Sequence, residues 1–190
     1  MEPLRTASAE DLRKILDVWT PVKWPAPPDI VPELIQRLGW KQTTWRRAET
    51  TLPVSDRTAV LLIDTESSKV PGGEFTQAKC DVSDSLSEDE SATLEGKLLV
   101  QAAFGSLLDA MRGPLGPEDG EYTGKSKFVW WDLPTGGRIK LERHSMCVTL
   151  YLVSKRYADT DRAEDYYASQ GYPIDYETDG TPIFPTLDDR

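Results

Sequence analysis

Asparagine is absent from this chain, histidine occurs once and cysteine twice. Without asparagine there is no N-glycosylation acceptor. The single histidine, His144, rules out a multi-histidine metal centre, and Cys80 and Cys147 lack the close spacing of zinc or iron–sulfur ligands. Two isolated thiols fit a reducing compartment, and spacing alone leaves open whether they are paired. No apolar run approaches the roughly 20 residues that span a bilayer. The start, Met1 to Arg5, lacks the basic and apolar segments of a cleaved secretion signal. Cytoplasmic residence without membrane contact is the expectation.

Positive charge is also in deficit. Lys and Arg number 22 against 32 Asp and Glu, a formal net charge of −10. Such a surface repels a phosphate backbone, which argues against nucleic acid as a partner. It favours a basic protein partner, and it equally serves plain solubility. Hydrophobic residues make up 38% of the 190 positions, with six Trp. That supports one core, so residues 1–190 read as a single domain with an irregular acidic C-terminal segment over 172–190.

Periodicity places the elements. Ser8 and Asp11 make a capping signal, and Leu12, Ile15, Leu16 and Trp19 follow at helical spacing. A proline-rich stretch over 21–28 separates this helix from a second, which holds Leu34, Ile35 and Leu38 and ends at Gly39. Strands are expected over 41–52, 58–63 and 74–82. Ser87 and Glu90 form a capping box at the start of one long helix, whose apolar side holds Leu94, Leu98, Gln101, Phe104, Leu108 and Met111, and which Gly113 and Pro114 stop. Strands over 127–133, 138–142 and 146–152 follow, the first two joined by a turn at Gly136 and Gly137, and then a short helix over 159–169. The fold class is α+β: an antiparallel or mixed sheet of about six strands with a long helix packed across it. A helix followed by three strands in each half suggests an internal repeat.

Motifs that imitate chemistry fail on spacing or context. Gly120 to Ser126 resembles a phosphate-binding loop but has three residues between its glycines where four are needed, and a strand follows where a helix should start. It reads as a turn. Asp175, Glu177 and Asp179 imitate a calcium loop, but the twelfth position is Thr186 and no helices flank it. His144 and Cys147 lie three apart, so in a strand they point to opposite faces and cannot work as a pair. Trp19, Trp24, Trp40 and Trp45 read as core or connector packing. No metal, cofactor or catalytic set is therefore expected.

What remains suits binding. Asp161, Glu164, Asp165, Tyr166, Tyr167, Tyr172 and Tyr176 interleave carboxylates with tyrosines, as recognition of a basic protein would require. The same tyrosines would serve to pin an acidic tail to its own domain. The turn at Pro71, Gly72, Gly73 and Glu74 is a candidate protrusion. Trp130 and Trp131 are neighbours in a strand, so one indole faces the core and the other is a candidate contact.

The helix ending in Leu34, Leu38, Gly39 and Trp40, the apolar strand over 60–64 and the long helix before a Trp-bearing hairpin resemble small acidic actinobacterial proteins. Some of these are similar to immunity proteins of polymorphic-toxin systems. The resemblance implies a non-enzymatic inhibitor, monomeric or weakly dimeric. It would bind a cognate secreted toxin with a basic surface, such as an NAD-degrading enzyme or a nuclease, and occlude its active site. A secretion chaperone or adaptor is one alternative, and an enzyme with a carboxylate-based site is another.

Overall fold

Ser8 starts the ordered helices. Its hydroxyl accepts the backbone N–H of Asp11 while the Asp11 carboxylate accepts the N–H of Ser8, so two orphan donors are satisfied at the head of α1 (Ala9–Trp19). α2 (Ile30–Leu38) ends at Gly39, which takes the left-handed conformation (φ 70°). The computed structural model describes residues 2–65, 72–123, 126–171, 175–176 and 182–183.

The capping box at Ser87 and Glu90 forms as expected, but it heads a five-residue helix, α3 (Glu88–Ala92). The single long helix is thus corrected to two. Thr93 adopts an extended conformation, and its hydroxyl accepts the Gly96 N–H to start α4 (Leu94–Leu115). Gly96 is what lets α4 begin there, since a Cβ would lie 2.1 Å from the Glu90 carbonyl oxygen. The buried stripe of α4 also differs from expectation. Val100, Ala103, Phe104, Leu107, Leu108 and Met111 face inward, whereas Leu94 and Leu98 are 75% and 55% exposed and Gln101 faces solvent. Pro114 lies inside the last turn, where the lost N–H leaves only the Ala110 carbonyl without its helical donor.

Eight strands form one antiparallel sheet, more than the six expected. The Thr-rich stretch 41–52 folds as a hairpin, β1 (Lys41–Thr44) and β2 (Arg47–Glu49), turning at Trp45 and Arg46. Trp45 is therefore exposed rather than in the core. β3 (Thr58–Asp64) and β4 (Glu74–Asp81) complete a four-strand meander. The second meander is β5 (Gly120–Thr123), β6 (Lys127–Asp132), β7 (Arg138–Arg143) and β8 (Val148–Val153). β5 occupies the start of what reads from sequence as a turn. Its Gly120 pairs with Trp130, whose indole sits where a Gly120 side chain would be. The order β1-β2-β3-β4-β8-β7-β6-β5 joins the meanders at β4 and β8, so each half is a helical segment followed by four strands.

One face of the sheet carries the core. Ala59, Leu61, Ala78, Leu150, Leu152, Ile139, Leu141, Val129 and Trp131 are buried with the apolar sides of α1, α2 and α4. α4 lies against β7, β8 and α1. Trp19 and Trp40 meet edge to face at 6.4 Å. α5 (Lys155–Ser169) begins four residues before the expected start, directly after β8. β9 (Asp175–Tyr176) and β10 (Pro182–Ile183) pair antiparallel within the segment expected to be irregular.

Leu141 is fully buried, so Leu141→Ala is expected to cost about 2–5 kcal/mol in urea unfolding. Leu98→Ala should stay within about 0.5 kcal/mol. The two together check the rotated face of α4. At the other end of that helix, hydrogen bonds from Arg112 hold the Glu118 carboxyl at about 2, down from 4.5. A depressed carboxyl stabilises above its unfolded pKa, so this contribution is present above pH 4.5 and disappears as pH falls from 4.5 to about 2. Glu118→Gln should flatten that part of the acid stability curve.

Candidate functional site

The second face of the sheet is where side chains of one register gather. Arg47, Val60, Lys79, Tyr151, Lys140 and Trp130 stand opposite one another across six strands. The adjacent row runs through Asp81, Thr149, Glu142, Phe128 and Tyr122. Alternation makes this face legible in each strand: Val129 and Trp131 enter the core while Phe128 and Trp130 emerge here. The expected split of the two indoles therefore holds.

At the β5–β6 side, three rings form an aromatic shelf. Tyr122 stacks on Phe128 at 5.0 Å, and Phe128 meets Trp130 at 5.8 Å. Lys140 lies 4.2 Å over the Phe128 ring and Arg138 lies 4.8 Å over Trp130, as cations favour the negative ring face. Tyr122 is 50% exposed.

Helix α5 roofs the end of this face beyond Trp130. Arg138, only 2% exposed, donates to Asp132 at 2.9 Å and to Asp161 at 3.3 Å. Arg162 donates to Asp132 and to Asp159, each at 2.7 Å. Burial opposes ionisation of Asp132, but the hydrogen bonds from Arg138 and Arg162 outweigh it and hold its carboxyl below the usual range. Asp161 thus anchors the acidic helix to the sheet through Arg138, whereas Asp159 is exposed and pairs within α5, with Lys155 and Arg162. Tyr157 and Tyr166 face outward, 45% and 57% exposed.

A shallow cavity of about 420 Å³ opens on the other half of the face, lined by Arg47, Thr58, Lys79, Asp81, His144 and Tyr151 among others. His144 Nε2 lies 3.1 Å from the Tyr151 hydroxyl, and its Nδ1 lies 3.8 Å from Glu142. Burial, reinforced by Glu142 and Asp81, pushes the Tyr151 phenol up, so it remains neutral. Burial and Asp81 likewise push both thiols up. Cys80 and Cys147 are free and buried, which answers the pairing question. His144 and Cys147 do not lie across a strand as expected. They close the β7–β8 turn, with the His144 N–H donating to the Cys147 carbonyl at 2.9 Å.

The residues singled out from sequence fall in several places. Trp130 and Asp161 meet through Arg138. Glu164 and Tyr167 lie along α5, and Tyr166 meets Tyr167 edge-on at 5.5 Å. Gly72 and Gly73 take positive φ (82° and 100°) before β4, and Glu74 is buried, its carboxyl raised by desolvation and by Asp64 against the opposing pull of Arg156. Asp165 belongs to α5 and Tyr176 to β9. Pro71 and Tyr172 lie outside the described residues. Sequence reading missed Lys79, Tyr122, Phe128, Lys140 and Tyr151. Their alternation is visible strand by strand, but only the register sets them side by side.

Residues 10–154 match a family of unknown function, DUF6301. The chain belongs to that family. No curated protein and no solved structure matches it. The matched stretch contains both meanders, the aromatic shelf and the cavity, and it stops just before α5. Among the described residues, no helix is long and apolar enough to cross a membrane, and no cluster of His, Cys, Asp and Glu could hold a metal ion.

Arg138→Met would leave Asp132 and Asp161 without their shared cation. The expected cost is about 2–4 kcal/mol, below the figure for a fully buried pair because both carboxylates are partly exposed. Hydrogen exchange should show the loss of protection concentrated in α5, with β7 and β8 still protected.

Proposed function

We propose that the protein is an immunity-type inhibitor that acts in the cytoplasm by binding a cognate toxin and covering its active site. The observation that carries this reading is the aromatic shelf of Tyr122, Phe128 and Trp130 beside α5, with outward-facing tyrosines at Tyr157 and Tyr166. Exposed tyrosines and a partly exposed tryptophan supply rigid contact area, and carboxylates near them would complement a basic partner. Asp132, Asp159 and Asp161 are matched by Arg138, Arg162 and Lys155, so what this rim offers a partner is mainly its rings. The lining of the sheet face supports binding over nucleophilic catalysis. Its phenol stays neutral, and both thiols are held in the protonated form.

Co-expression with the product of the neighbouring gene tests the proposal. A stable complex and rescue of growth are expected. Tyr122→Ala and Trp130→Ala should each weaken the complex by about 2 kcal/mol while leaving unfolding cooperative. Absence of both complex and rescue, with the inhibitor properly folded, would reject the reading.

A further inference from the structure

The cavity on the sheet face is chemically unlike the rest of this acidic surface. Lys79 is a half-buried lysine on a central strand, and Arg47 lies across β3 from it with Val60 between them. Both line the cavity, and among the described residues neither has a carboxylate partner. Lys140, the next cation along the row, is different: it pairs with Glu142 at 3.6 Å and lies over the rings of Phe128 and Tyr151. In a chain with ten more carboxylates than cations, two neighbouring cations that no ion pair occupies, in one concavity, mark a place where an anion would be stabilised.

The same concavity also carries the opposite sign. Asp81 follows two residues after Lys79 on the same face of β4, about 7 Å along the strand. One of its oxygens accepts the Thr149 hydroxyl at 2.7 Å. Asp56, also in the lining, accepts its own loop's Thr58 N–H at 2.8 Å. Each carboxylate keeps further acceptor capacity. The Tyr151 hydroxyl, neutral and within reach of His144, closes the third side.

We propose that this cavity binds a small zwitterion. Its carboxylate or phosphate would be held by Lys79 and Arg47, and an ammonium group a few bonds away by Asp81 and Asp56. The separation of Lys79 from Asp81 along the strand matches such a ligand. A simple anion would satisfy the cations and leave the carboxylates opposed to it. The volume, about 420 Å³, lies within the range of small-molecule sites. The site is separate from the aromatic shelf and does not rest on the toxin-binding reading.

Titration of the isolated full chain by two-dimensional NMR tests this, with four probes in two matched pairs: phosphoethanolamine against inorganic phosphate, and β-alanine against propionate. Saturable shifts are expected at Lys79, Asp81 and Tyr151, with each zwitterion binding more tightly than its matched anion. Lys79→Gln and, separately, the exposed Arg47→Gln should weaken every probe by about tenfold. Asp81→Asn should remove the preference for the zwitterion and retain phosphate binding. The proposal is overturned if no probe gives saturable shifts at these residues. It is equally overturned if matched anions bind as well as zwitterions, or if Lys79→Gln and Arg47→Gln both bind unchanged. Because no partner protein is present in the titration, its failure says nothing about toxin binding, and failure of the co-expression test says nothing about the cavity.

Discussion

The antiparallel pairing of β4 with β8 is the constraint on which this molecule depends. Each four-strand meander alone has a free edge and one apolar face, and neither could bury both. Pairing Cys80 with Leu150 and Ala78 with Leu152 closes the two edges together and merges two half-cores into one. It also explains why every residue of β8 is buried: one side lies under α4, and the other is sheltered within the second face. Had β8 remained an edge strand, its charge-free run Val-Thr-Leu-Tyr-Leu-Val would be a hazard for aggregation.

The same pairing brings together the two surfaces of functional interest. Lys79 comes from the first meander and Tyr151 from the second, and they become neighbours only through the β4–β8 register. Lys140 then links Tyr151 to the shelf of Phe128 and Tyr122 through the second meander. At the far end of the face, Arg138 and Arg162 bind the acidic helix to the sheet. A buried guanidinium is tolerable there because Asp132 and Asp161 both contact it. The negative charge that reads in sequence as free for a partner is in part internal structure. What α5 offers outward is aromatic.

Much of the fold was legible in the sequence because local rules dominate where helices and strands begin and end. The caps at Ser8, Ser87 and Gly39, the strands at β3, β4, β6, β7 and β8, and the opposite faces of Trp130 and Trp131 all follow from spacing and turn chemistry. The failures share a cause. The hairpin of β1 and β2, the edge strand β5, the break at Thr93 and the rotated face of α4 each depend on a neighbour distant in sequence or on a close backbone approach. Gly96 and Gly120 are the clearest cases. Each glycine leaves room for a group, the Glu90 carbonyl or the Trp130 ring, that periodicity cannot see.

The candidate site was legible only in pieces. Composition and alternation by themselves determined an acidic α+β chain, the capped helices, and a strand that turns one tryptophan outward. These follow from interactions spanning a few residues, which any fold of the chain would have to respect. Tertiary structure alone decided that Lys79 and Arg47 share a cavity outside any ion pair, that Trp130 lies beneath Arg138, and that Asp161 is an anchor. Those outcomes turn on strand order and register: a shift of one residue in the β4–β8 pairing, for example, would put Lys79 and Tyr151 on opposite faces of the sheet.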